Sequence, residues 1–257
     1  YHQFKELAGI DITKEPMEVA PTCHYMMGGI RVDPETQETC ISGLYASGEA
    51  AGGLHGANRL GGNSLSDLLV FGNRAGIHAG ETAQKMKSFP KIPEKHIESA
   101  IDHLSFPFNN TSSGEHPFQL RDELQTIMEE YVGIKRDEEG LNKGIKELQK
   151  LKSRTSNLVA TGSPSYNAGW QTCFDLINLI DVSLAIAYSA LERKESRGAH
   201  TRIDFPVPSD SLGKIKFIVS LSSDKFNISN VSIPTPRKEL LSMIKKDQTK
   251  QKSGGKK

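Results

Sequence analysis

Two stretches of the chain concentrate the side chains and the backbone freedom that chemistry needs. The first is Pro21-Thr22-Cys23-His24-Tyr25-Met26-Met27-Gly28-Gly29-Ile30. A histidine beside an aromatic ring, followed by paired glycines, can hold a polar ligand against main-chain amides. The second runs from residue 48 to residue 65 and reads GEAAGGLHGANRLGGNSL. Here Arg59 lies among glycines, five residues before Ser64, which the pattern marks as a helix cap. A guanidinium is a fork that matches a carboxylate, and a helix start adds unpaired N–H groups and partial positive charge. Together they make an anion site. Glu49 follows the short apolar run Leu44-Tyr45-Ala46 and is placed to accept hydrogen bonds from a hydroxylated ligand such as ribose or ribityl. A lone histidine more often serves structure than ligand binding, so the second stretch carries most of the weight.

These residues need a scaffold. Leu44-Tyr45-Ala46 reads as a buried strand entering a turn. A helix is expected from Ser64 to about Met86, with Leu65, Leu68, Leu69, Phe71 and Ile77 at helical spacings. Two prolines between Ser88 and Pro93 break it, and 88–116 reads as a linker. Pro117 suits a first helical turn, Leu120, Leu124, Ile127, Met128 and Tyr131 form one stripe, and Gly133 ends it. A second helix is expected from Glu138 to Lys152 with Leu141, Ile145 and Leu148 inward. A third runs from about Trp170 to Lys194, its buried face made by Phe174, Ile177, Ile180, Leu184, Tyr188 and Leu191. Three helices with short or moderate connections read as a bundle over 117–205. Beyond Pro206, Ile215, Phe217, Val219 and Leu221 alternate, and Phe226, Ile228 and Val231 follow a Ser-Ser-Asp turn, which predicts a strand pair. The last twenty residues carry seven lysines and read as a solvated tail.

Composition narrows the function classes. The chain has 257 residues, room for one large domain or two modest ones. With 32 basic and 31 acidic residues the net charge is +1, which excludes a globally basic nucleic-acid coat, and a hydrophobic share of 36% excludes a mostly disordered chain. No run of about 18 apolar residues occurs, so no direct membrane insertion is expected. Three scattered cysteines make no disulfide framework and point to a reducing compartment. The spacings of Cys23, His24, Cys40 and His55 fit no standard zinc site, so no metal is expected. The chain opens at Tyr1 without Met, as a piece of a longer protein does.

The strings PTCHYMMGGI at 21–30, GLYASGEAAGGLHGANRLGGNSLSDLLVFG at 43–72 and ERKESRGAHTR at 192–202 resemble the flavoprotein subunit of succinate dehydrogenase and fumarate reductase. The resemblance covers roughly 1–205 and is loose beyond Pro206. It implies an α/β plus α fold: the C-terminal part of a flavin-binding α/β domain (1–87), the linker, the three-helix bundle, and a small β-containing segment with its tail (206–257). It implies FAD as cofactor and interconversion of succinate and fumarate. His24 resembles the histidine that binds one substrate carboxylate, and Arg59 the arginine that clamps a carboxylate, with Gly61 and Gly62 beside it. Glu49 resembles a flavin-ribityl ligand. Asn63, Ser64 and Leu65 resemble the segment at the flavin pyrimidine edge, and Tyr25, Gly28 and Gly29 are expected near the flavin ring. The implied partners are an iron–sulfur subunit and membrane anchor subunits, and the implied location is peripheral, on the cytoplasmic inner face of the cell membrane.

Departures from the family matter as well. No G-x-G-x-x-G occurs, so the element that would hold the flavin pyrophosphate is expected upstream. The covalent flavin histidine and the proton-shuttling arginine are expected there too, so no catalytic residue is assigned in this chain, and alone it is expected to be inactive. One alternative is an L-aspartate oxidase-like flavoenzyme, against which Gly61-Gly62 and Asp67 speak. Another is a non-catalytic docking module for the iron–sulfur partner. Arg197 and His200 are read as structural, tying the third helix to the flavin domain.

Overall fold

The computed structural model describes residues 1–20, 23–110 and 114–243. They form two compact units, Tyr1–Lys87 and a second from Ser88 onward. The lysine-rich tail lies mostly outside the described residues.

The first unit holds two helices, α1 (His2–Ala8) and α2 (Asn63–Lys85). Between them the chain is mostly turns, with isolated bridges joining Ile30 to Ala51 and Glu38 to Tyr45. The strand expected at Leu44-Tyr45-Ala46 is therefore a single bridge. The α/β sheet expected of this segment is not formed among the described residues of the unit. A strand needs neighbours along its length, and Leu44, Ile41 and Ile30 are exposed. Tyr45 is instead anchored by its hydroxyl, 2.7 Å from Thr82 Oγ1 on α2.

Helix α2 starts one residue earlier than its sequence suggests. Gly62 is the residue before it, in the left-handed region at φ 83°, and no side chain caps the helix. Ser64 is already helical, so it cannot take the extended geometry a cap requires. Only Asp67 and Ala75 of α2 are buried, while Leu65, Leu68, Leu69 and Ile77 are exposed.

The second unit opens with α3 (Glu94–Asn109), where a linker was expected. The prolines obscured it. Pro93 precedes the helix, and Pro107 falls in its last turn, where its missing N–H removes one helix bond and only two helical residues follow. The C-terminal end of α3 docks through rings: Phe106 meets Phe174 edge-on at 6.1 Å, and Phe108 lies 5.7 Å from Trp170. Trp170 Nε1 donates to Leu104 O.

The bundle follows, with α4 (Pro117–Val132), α5 (Glu138–Arg154) and α6 (Ala168–Glu192). Asp137 caps α5 by accepting from Gly140 N, and Asn167 caps α6 by accepting from Trp170 N. Leu120, Leu124, Leu141, Ile145, Leu148, Cys173, Leu176, Ile180 and Leu184 form the core. On α6 the most buried stripe is rotated from the expected one. It runs through Cys173, Leu176, Ile180, Leu184 and Ala187, while Ile177, Tyr188 and Leu191 flank it. By length and composition, with mean hydropathy 1.5 over its most apolar window, α6 is apolar enough to cross a membrane. Here it packs against both α4 and α5.

The short strands β1 (Lys135–Arg136) and β2 (Thr201–Arg202) pair in parallel. Strands β3 (Ile215–Ser222) and β4 (Lys225–Ser232) form the expected antiparallel pair. Its turn residues Ser223 and Asp224 both have positive φ, 48° and 59°, as a two-residue hairpin demands. Phe226 packs back on the bundle, 5.4 Å from the Tyr188 ring.

The 192–202 string closes the C-terminal end of α6. Arg202 is fully buried and donates to Ala190 O at 2.8 Å, to Leu191 O at 3.1 Å, and through two nitrogens to Asp204. Glu195, also fully buried, takes Arg193, Arg197 and the Ser209 amide. His200 Nε2 lies 3.0 Å from Arg193 O and its Nδ1 lies 3.2 Å from Arg136. Burial pushes the His200 pKa down, with the positive charges of Arg136, Arg193 and Arg202 acting the same way. The neutral Nε2–H tautomer then donates to Arg193 O and accepts from Arg136. Arg197 and His200 hold structure, and the partners that fix them lie on the second unit's own elements.

Candidate functional site

The two chemistry-bearing stretches meet in the first unit through glycines. Ile30 N donates to Ala50 O at 2.8 Å, and Gly52 N donates to Ile30 O at 2.9 Å. A Cβ on Gly29 would lie 2.6 Å from Ala50 O, and one on Gly52 would lie 2.7 Å from Gly29 N. No flexible side chain is there to yield, so both positions need glycine for the chain's own close approach. Gly28, by contrast, faces open space. Glu49 Oε1 accepts from Met26 N at 2.8 Å, adding a second tie between the stretches.

Around this seam the side chains converge on Tyr25. Its hydroxyl donates to Asp67 Oδ2 at 3.2 Å and lies 3.2 Å from His55 Nε2. His55 Nε2 and Asp67 Oδ2 are also 3.2 Å apart. The His55 and Asp67 side chains are only 7% and 5% exposed. Burial raises the Tyr25 pKa above its ordinary value, and the Asp67 hydrogen bond and charge raise it further. The Arg59 guanidinium carbon stands 4.8 Å from the centre of the Tyr25 ring. Arg59 Nε is buried and has no hydrogen-bond partner among the described residues, and Nη1 makes only a long contact to Leu60 O.

The first turn of α2 begins four residues after Arg59. Its leading amides have no partner within the helix, and it carries no acidic residue. An open groove of about 360 Å³ runs along this region, lined in part by His55, Asn58, Asn63 and Asp67. An orphaned guanidinium nitrogen beside an acid-free helix start suits an anionic group. That donor set fits both a carboxylate substrate and the electron-rich edge of a reduced flavin.

Not every expected site residue joins this cluster. Arg59, Gly61, Gly62, Asn63, Ser64 and Leu65 lie together at the α2 start. His24 is exposed, with its ring 6.4 Å from that of Tyr25. Tyr25, expected beside a flavin ring, has Arg59 over its face and His55 at its edge. His55 and Asp67 were missed as site residues by sequence reasoning. Their signal was present, since a histidine inside the glycine-rich stretch and an acid two residues past it stand twelve residues apart, but only the fold brings both to Tyr25.

The chain matches known families along most of its length. Residues 1–65 match the family described as FAD binding domain, and residues 121–239 match that described as Fumarate reductase flavoprotein C-term. The second match extends past Pro206, where the resemblance had been expected to loosen. These matches give the class that the chain resembles, flavoproteins of the FAD-dependent oxidoreductase kind, and they support FAD as the cofactor. Within it, the chain resembles the C-terminal part of the succinate dehydrogenase and fumarate reductase flavoprotein subunit. The succinate dehydrogenase flavoprotein subunit of Coxiella burnetii is 40% identical over 219 residues, 80% of this chain and 37% of that protein. The fumarate reductase flavoprotein subunit of Escherichia coli is 40% identical over 202 residues, 78% of this chain and 33% of that one. The Mycobacterium smegmatis Sdh1 complex in the apo form gives a TM-score of 0.84 at 43% identity, covering 92% of this chain and 41% of that one. The chain thus spans about a third of the length of the curated relatives it matches. The relatives found do not favour the aspartate oxidase or docking-module alternatives.

Proposed function

We propose that this chain is the C-terminal part of a flavoprotein subunit that interconverts succinate and fumarate. The observation that carries the reading is Arg59, a guanidinium with a buried, unpartnered Nε beside the acid-free start of α2. It is a preformed clamp for a carboxylate, and orienting a substrate this way converts binding into rate. His24 takes the second carboxylate from the exposed edge of the site. Gly61 and Gly62 leave room for a dicarboxylate to reach main-chain amides. Glu49, Asn63, Ser64 and Leu65 are assigned to the cofactor, Glu49 through its second oxygen, because Oε1 is engaged by Met26. FAD, when bound, supplies the two-electron hydride chemistry. This chain's residues hold both ends of the substrate against it, and the proton-transferring arginine is assigned to a preceding segment. Electrons pass on to an iron–sulfur subunit, and anchor subunits hold the assembly at the inner face of the cell membrane.

The test is Arg59→Ala in the full-length subunit within its complex. Losing one charged carboxylate contact costs about 2–3 kcal/mol, roughly 30–150-fold in kcat/KM for succinate, with FAD content unchanged. Retained activity, or oxidation of aspartate instead, overturns the reading.

A further inference from the structure

We propose that Tyr25, His55 and Asp67 form a positioning triad that fixes the Arg59 guanidinium for its carboxylate, with the Tyr25 ring as the platform. This deepens the reading above and rests on it.

The geometry separates what holds Arg59 from what holds Tyr25. Arg59 has no ion pair among the described residues, and its Nε has no acceptor. Its one long hydrogen bond, to Leu60 O at 3.4 Å, is a poor constraint. What locates the guanidinium is the ring 4.8 Å away. An acidic partner would hold it more firmly, but would also neutralise the charge the substrate is meant to meet. An aromatic face holds a cation while leaving its donors free.

The ring in turn is held rigidly. The Asp67 carboxylate accepts from the Tyr25 hydroxyl and from His55 Nε2–H, both at 3.2 Å. The His55 ring braces Tyr25 edge-on, at 5.4 Å and 79°. Asp67 lies in the second turn of α2, so the triad references the clamp to the helix whose N-terminus flanks the site. A hydroxyl donating to a buried carboxylate also enriches the ring in electron density, strengthening its hold on a cation. Burial of the Tyr25 hydroxyl keeps it protonated and donating, in line with its raised pKa.

Tyr25, His55 and Asp67 are assigned no substrate contact of their own, although His55 and Asp67 line the groove. They act through Arg59, so their effect is on dicarboxylate affinity. The test uses the full-length subunit in its complex, with malonate as an unreactive dicarboxylate probe. Tyr25→Phe keeps the ring and removes its tether, and Asp67→Asn removes the charge. Each is expected to raise the malonate Ki and the succinate KM by about ten-fold. The kcat at saturating succinate, per bound FAD, should change by less than about three-fold. In an Arg59→Ala background, Tyr25→Phe should add nothing, because the group it positions is gone.

An unchanged malonate Ki in Tyr25→Phe, when Arg59→Ala does raise it, overturns the triad and leaves the substrate reading standing. So does a Tyr25→Phe effect that multiplies with that of Arg59→Ala. If Arg59→Ala itself leaves Ki unchanged, both fall.

Discussion

Replacing Arg202 by Met should destabilise the helical unit severely without touching the proposed clamp at Arg59. The magnitude follows from what Arg202 satisfies. Its guanidinium is fully buried and serves the Ala190 and Leu191 carbonyls, which lie among the last four of α6 and have no amide to receive from. Orphaning two buried acceptors costs about 1–3 kcal/mol each. Asp204 would also lose both Arg202 nitrogens and keep the Glu138 amide, so a total near 4 kcal/mol is expected. At about 2–4 °C per kcal/mol for a unit of this size, the melting midpoint should fall by roughly 8–16 °C. Trp170 is the chain's single tryptophan and sits in the first turn of α6, so its fluorescence reports this unit alone. Thermal melts of wild type and Arg202→Met, followed at that signal, make the comparison. A shift below 3 °C would refute the claim that Arg202 is the cap of α6. A raised malonate Ki in the full-length enzyme, with little loss of stability, would move the 192–202 string from scaffold to substrate site.

Acid should act through the same end of the bundle. Two hydrogen bonds from Arg202 outweigh burial and lower the Asp204 pKa to about 2. A lowered carboxyl contributes stability above its unfolded pKa of about 3.9 and loses it as pH falls. The Trp170 midpoint should therefore hold from pH 7 to about 5 and fall between about 4 and 2, a fall that Asp204→Asn should flatten. In the other unit, Gly29→Ala would drive a Cβ into the Ala50 carbonyl. It should cost more than about 2 kcal/mol and lower the FAD-to-protein ratio of the full-length subunit, whereas Gly28→Ala, with open space around it, should leave that ratio unchanged.

How much of this was legible in the sequence depends on whether local chemistry or long-range contact decides each feature. The bundle was legible because its helices carry their own signals: Pro117 at the start of α4, Gly133 at its end, and apolar residues at helical spacing running into the core. The hairpin was legible because its alternation and Ser-Ser-Asp turn agree. Helix α3 was not, because two flanking prolines and one internal proline read as breakers. Only tertiary contact shows that Pro107 lies in a final turn, with its carbonyl already accepting from Ala160 N. The Leu44-Tyr45-Ala46 run failed differently. Apolarity marks a segment as fit for a sheet but does not supply the neighbouring strands.

The site divides along the same line. Arg59 and the start of α2 could be found by reading, since a fork between glycines ahead of a helix is local chemistry. His55 and Asp67 could not be ranked, because their value lies in one shared atom, the Tyr25 hydroxyl, 30 and 42 residues away in the chain. The paired glycines show the limit most sharply. Gly28 and Gly29 are adjacent and identical in sequence, yet one faces open space and the other is pressed against Ala50 O. A glycine facing open space and a glycine reserved for the chain's own backbone look alike until the opposing segment is in place. That is why the seam between residues 29–30 and 50–52, and not the glycine count, shows which glycines the backbone itself requires.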